Sequence, residues 1–146
     1  MGSAPSLRAL TLTDYTVFDL PESTRLAQAT VSLVTLELVS PGGSSSDILK
    51  FICMFPNLDN LALANYYEGS AKPPSSYETS PSFSGVLSLK HVICYGENGF
   101  VQGLLSIPGG LRFQEIVLKC STGAESLIPA CSRTLRTLFY QPRLGA

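Results

Sequence analysis

Charge is scarce in this chain. Lys, Arg, Asp and Glu make up 14% of its 146 residues, where an average soluble protein carries roughly 25%. The formal net charge is −1 and like charges never form a run, which leaves no electrostatic footprint for a nucleic acid or an anionic membrane. No apolar run approaches the ~20 residues of a membrane span. The opening "MGSAPS" lacks the basic-then-apolar layout of a signal peptide. Through Gly2 and Ser6 it matches the start of a myristoylation signal, a match that chance explains as well. The four cysteines, Cys53, Cys94, Cys120 and Cys131, form no C-x-x-C pair and no metal-ligand spacing, and there is no N-x-S/T acceptor. An intracellular protein, cytoplasmic or nuclear, is expected, with cysteines acting as small apolar fillers and no cofactor or metal bound.

Catalytic equipment is missing too. There is one histidine, His91, and no G-x-S-x-G, Walker loop, G-x-G-x-x-G or H-E-x-x-H. "PGGSSSD" at 41–47 is glycine-rich ahead of a helix, but it contains no lysine and reads as a turn plus a helix cap rather than a phosphate cradle. No enzyme is expected.

What the chain does have is a rhythm of leucines. "SLVTLEL" places Leu33, Leu36 and Leu38 at a spacing that is neither a clean strand nor a clean helix. "LRALTL" repeats it at Leu7, Leu10 and Leu12, and "LDNLAL" at Leu58, Leu61 and Leu63. Weaker copies follow as "LKHVIC" (Leu89, Val92, Cys94), "FQEIVL" (Phe113, Ile116, Leu118) and "LRTLFY" (Leu135, Leu138, Tyr140), at successive intervals of 26, 25, 31, 24 and 22 residues. L-x-x-L-x-L recurring every 20–29 residues or so is the signature of a leucine-rich repeat. The reading is one α/β domain over 1–146: a curved solenoid of about six repeats, with parallel strands on the concave face and short helices and loops on the convex face.

Between the strands, "SDILKFICMF" carries Ile48, Phe51, Ile52 and Phe55 on one helical face behind Ser46 and Asp47, and "NGFVQGLLSI" does the same with Phe100, Val101, Leu104 and Leu105. "TGAESLIPAC" has Thr122 and Glu125 at capping-box spacing, cut short by Pro129. The stretch 69–85, "GSAKPPSSYETSPSFSG", has no apolar period and is dense in Ser and Pro. It reads as an inserted loop that accounts for the interval of 31, with Ser80–Pro81 a candidate phosphorylation point.

Strand alternation then assigns the outward side chains. One outward column runs Thr11, Glu37, Ala62, Ile93, Val117 and Phe139, and turns apolar in its second half. Ala62, Ile93, Val117 and Phe139, bordered by His91, Tyr95, Glu115 and Lys119, are the candidate partner-binding residues of the concave face. His91 falls beside Glu115 in this reading, as a surface contact rather than a catalytic pair.

With "FPNLDNLAL" at 55–63 and "GLRFQEIVLKC" at 110–120, the repeats resemble the irregular leucine-rich-repeat regions of F-box-like proteins from mushroom-forming fungi. The likeness covers nearly the whole chain but its motifs are loose. The consensus Asn at the ninth repeat position is replaced by Tyr15, Pro41, Tyr66, Glu97 and Ser121. "DLPES" at 19–23 matches the start of an F-box, yet a strand motif begins ten residues later, so it reads as a convex turn. The resemblance implies a protein-binding module that recognises substrates for a ubiquitin ligase, joined to the ligase adaptor through an N-terminal F-box absent from these residues. A free-standing scaffold and a truncated product with no partner are the two other classes. The last gains weight because an array needs polar caps and the motifs run from Leu7 to Tyr140, so a fragment or a shortened array is expected.

Overall fold

The computed structural model describes residues 7–14, 25, 32–42, 44–67, 81–93 and 100–142. The readings of "MGSAPS" and "DLPES", the phosphorylation point at Ser80, and residues Cys94, Tyr95 and Glu97 fall outside them. Six strands form one sheet: β1 (Ala9–Thr13), β2 (Thr35–Val39), β3 (Asn60–Tyr67), β4 (Val86–Ile93), β5 (Glu115–Lys119) and β6 (Thr137–Gln141). Each pairs in parallel with the next in chain order. Parallel neighbours need a long crossover rather than a hairpin, and among the described residues the crossovers carry the short helices α1 (Ser45–Ile52), α2 (Phe100–Leu105) and α3 (Leu127–Ala130).

The register shows why leucine recurs. Leu10, Leu36, Leu61, Leu87, Ile116 and Leu138 stand side by side across the sheet, as do Leu12, Leu38, Leu63, Leu89, Leu118 and Tyr140. On the four inner strands every one of these side chains is buried, in a single core with Ile48, Leu49, Phe51 and Ile52 of α1, Phe100, Val101 and Leu104 of α2, and Leu127 of α3. The helices thus cover one face of the sheet and leave the other open. Among the described residues no helix is long and apolar enough to cross a membrane.

Helix α1 is capped two residues before the expected Ser46. Ser44 is its N-cap: Ser44 Oγ accepts from the Asp47 N–H at 3.2 Å, and the Asp47 carboxylate accepts in return from the Ser44 N–H at 3.3 Å. The serine that follows the glycines of "PGGSSSD" is therefore a helix cap. Replacing Ser44 by Ala should cost about 1 kcal/mol, read as a lower urea midpoint at unchanged slope. At α3 the capping box expected from Thr122 and Glu125 does not form; the N-cap is Ser126, with no side-chain bond.

The fourth strand corrects the sequence reading. Leu87 and Leu89, not Val92 and Cys94, pair with Leu61 and Leu63. Counted on the equivalents of Leu10, the intervals become 26, 25, 26, 29 and 22. The excess length thus lies between β4 and β5, not before β4. The cause of the misreading is a backbone feature shared by five strands. Just past the third open-face residue, Asp14, Ser40, Asn65, His91 and Cys120 all take left-handed backbone, with φ between 51° and 57°. A left-handed residue interrupts the alternation of a strand, so the residue after it turns inward. Tyr66, Val92 and Ser121 hold that inward position, and all three are buried. Leu89 and Val92 therefore mimic the start of L-x-x-L while belonging to the end of a strand.

Ser121 is the polar member of that inward set. Its hydroxyl donates to the Leu89 carbonyl at 2.9 Å and accepts from the Val92 N–H at 3.1 Å, binding β4 to the chain beyond β5. Ser121→Ala would strand two backbone groups in the core, and a loss of about 1–3 kcal/mol is expected. Thermal unfolding measures it. An unchanged melting temperature would mean that water reaches those groups instead.

The described end of the 69–85 stretch, residues 81–85, is free of helix and strand yet packs into the core. Pro81 and Phe83 at its end are buried, and the Phe83 N–H donates to the Leu58 carbonyl at 2.8 Å. Phe83 follows Leu33 and Leu58 and precedes Phe113 in the column of side chains that open each strand motif, and its ring lies 4.9 Å from that of Phe113. One extra residue separates Phe83 from Leu87 compared with Leu58 and Leu61, and Phe83 absorbs it with φ at 46°.

Candidate functional site

The open face is a grid of three columns fixed by the register. The first is Ala9, Thr35, Asn60, Val86, Glu115, Thr137; the second Thr11, Glu37, Ala62, Ser88, Val117, Phe139; the third Thr13, Val39, Ala64, Lys90, Lys119, Gln141. Parallel strands about 4.8 Å apart hold these side chains in rows. Five of the eight expected partner-binding residues, Ala62, Glu115, Val117, Lys119 and Phe139, stand on this grid. The other three do not share it. Tyr95 lies outside the described residues, and His91 and Ile93 sit beyond the grid because the fourth strand is shifted by five residues. Ser88 occupies the place expected of Ile93, so a polar residue interrupts the apolar column between Ala62 and Val117. Glu115 faces Val86 rather than His91, which removes the expected His91–Glu115 contact.

The two halves of the face differ. On the N-terminal half, Thr11 Oγ1 donates to Glu37 at 3.1 Å. The Asn60 amide donates to Thr35 Oγ1 at 2.9 Å and accepts from the Val86 N–H at 2.8 Å, linking three strands. The approach of that amide needs Gly85, where a Cβ would collide with Asn60 Oδ1. On the C-terminal half, Lys90 and Lys119 are direct cross-strand neighbours, and Val117 and Phe139 are another such pair. Two ammonium groups side by side repel, and the partly buried Val117 and half-exposed Phe139 lie next to them.

Past the grid, β3 and β4 run on together, with Tyr67 opposite Ile93. Tyr67, His91, Ile93 and Cys120 line a shallow hollow of about 70 Å³, and Tyr67 is 68% exposed. Sequence reasoning missed Tyr67, Ser88 and Lys90. The available signal was the shared spacing of Leu61, Leu63, Tyr66 and Leu87, Leu89, Val92, which aligns the two strands correctly.

Among the described residues no three His, Cys, Asp or Glu side chains gather as metal ligands would. Cys53 and Cys131 are buried. Burial pushes the Cys53 thiol up to about 12. It also raises Cys131, against the opposing pull of a hydrogen bond with the Phe113 backbone. Thiols held protonated are poor nucleophiles, and both lie within the hydrophobic core. No protein-family model, curated protein or solved structure matches the chain.

Proposed function

We propose that the chain is a leucine-rich-repeat solenoid acting as a non-catalytic protein-binding module, with its target held on the open, concave face. The observation that carries this reading is the grid itself. Six parallel strands present side chains that the core does not use, at positions that recur with the leucine motif. The resemblance to fungal F-box-like proteins supports a more specific role, in which the bound protein is a substrate delivered to a ubiquitin-ligase adaptor. Binding centres on Lys90, Val117 and Lys119, with Ser88 and Glu115 at the border.

Two substitutions test the face. Lys90→Glu changes an exposed side chain and should shift stability by no more than about 0.5 kcal/mol, whereas Val117→Glu changes a partly buried one and should cost about 1 kcal/mol. Partners captured from the native cell extract by the wild-type protein should be lost on both variants, at unchanged melting temperature for Lys90→Glu and at a temperature where Val117→Glu is still folded. If both folded variants keep the partners at the wild-type level, the target binds elsewhere.

A further inference from the structure

Strand β6 differs from the five before it. Leu138 and Tyr140 occupy the inward columns, whose members on β2 to β5 are at most 2% exposed, yet they are 45% and 46% exposed; Phe139, on the open face, is 50% exposed. Three consecutive large apolar side chains are thus half in water, on both faces of one edge strand. Natural edge strands are commonly guarded by charge, proline or a bulge. Thr137–Gln141 is "TLFYQ", with none of these inside it.

The backbone of β6 is equally unguarded. The Thr137 N–H donates to the Gln114 carbonyl at 3.1 Å, and the Gln141 carbonyl accepts from the Cys120 N–H at 2.8 Å. Residues 137, 139 and 141 therefore turn their polar groups to β5. Alternation turns those of Leu138 and Tyr140 to the free edge.

From this we infer that β6 is a self-association site, where two copies of the chain pair their β6 strands antiparallel about a two-fold axis at Phe139. In that register Leu138 of one copy opposes Tyr140 of the other, and each pair exchanges two N–H···O bonds, four in all. Phe139 opposes its own counterpart at a non-hydrogen-bonded position, where the side chains of an antiparallel pair come closest. Opposed residues share a face, so Leu138 and Tyr140 cover their counterparts on the core side while the two phenylalanines stack on the open side. Thr137 meets Gln141, and no like charges are brought together within the ladder. Pro142, lacking an N–H, ends the pairing there. A single strand pair buries less than the roughly 1,200 Å² of a standard interface, so the dimer is weak and depends on concentration. The argument is independent of the partner-binding reading, whose test substitutes β4 and β5 alone.

Light scattering on the 146-residue chain, with reductant, from about 1 to 100 µM covers the range expected for an interface below standard size. The mass should rise from one to two times 15.6 kDa. Phe139→Lys opposes two ammonium groups across the axis and should stay monomeric throughout with a near-wild-type melting temperature. Phe139→Cys, under mild oxidation, should give a covalent dimer that wild type treated alike does not. A wild-type mass of one chain at every concentration overturns the inference. So does growth beyond two chains, which would indicate head-to-tail stacking, or a dimer that survives Phe139→Lys and fails to cross-link through Phe139→Cys.

Discussion

Phe83→Ala should lower the unfolding free energy by about 3–5 kcal/mol, the cost of deleting a fully buried aromatic side chain. The ring is completely buried, stacks on Phe113, and fills the column between Leu58 and Phe113. Backbone hydrogen bonds from the Phe83 and Gly85 N–H groups to the Leu58 and Asp59 carbonyls fix the chain around it, so the site has little freedom to collapse into the cavity. Against a net stability of about 5–15 kcal/mol for a domain, that loss removes much of the folded population at ambient temperature. The neighbouring Ser82 provides the control. It is exposed, and its hydroxyl makes only a long 3.4 Å contact with the Pro56 carbonyl, so Ser82→Ala should stay within about 0.5 kcal/mol. Equal urea midpoints for the two variants would show that Phe83 is not part of the core. Deleting the whole 69–85 stretch should be as damaging as Phe83→Ala, because the deletion takes Phe83 with it.

Leu61→Ala is expected to cost about 2–5 kcal/mol. Leu61 is 1% exposed, and its strand neighbours Leu36 and Leu87 are fully buried. A methyl group in its place leaves a void in the middle of a row of leucines whose spacing is set by strand hydrogen bonds, and neither neighbour can move in without breaking its own pairing. The same truncation at Leu138, already 45% exposed, should cost far less. Chemical denaturation of both variants checks the contrast. A Leu61→Ala midpoint no lower than that of Leu138→Ala would mean that the register across β2, β3 and β4 is not the one described.

How far the sequence carries can be judged strand by strand. For β1, β2, β3, β5 and β6 the leucine rhythm alone assigns the face of each side chain correctly as far as the third open-face residue, since period-2 alternation leaves no choice once two inward positions are placed and breaks only at the left-handed residue beyond. At β4 it fails. "VLSLKHVIC" contains two overlapping apolar patterns, and local spacing weighs them equally. Pairing with β3 and β5 selects Leu87 and Leu89, and the left-handed backbone at His91 turns Val92 inward. That single shift takes His91 and Ile93 off the open face and puts Ser88 and Lys90 on it.

By itself the sequence determined the in-order strands, the inward leucines, the helices α1 and α2, and a chain poor in charge. These follow from local periodicity, which one segment expresses without reference to any other. Only the tertiary structure decided that Phe83 belongs to the core, that Ser121 bridges two strand ends, that Lys90 stands beside Lys119, and that Leu138 and Tyr140 are left half exposed. Each of these depends on what lies on the neighbouring strand, a distance of about 5 Å in space but of 22 to 29 residues along the chain. A side chain's pattern says which way it points; whether anything is there to cover it is a property of the neighbour.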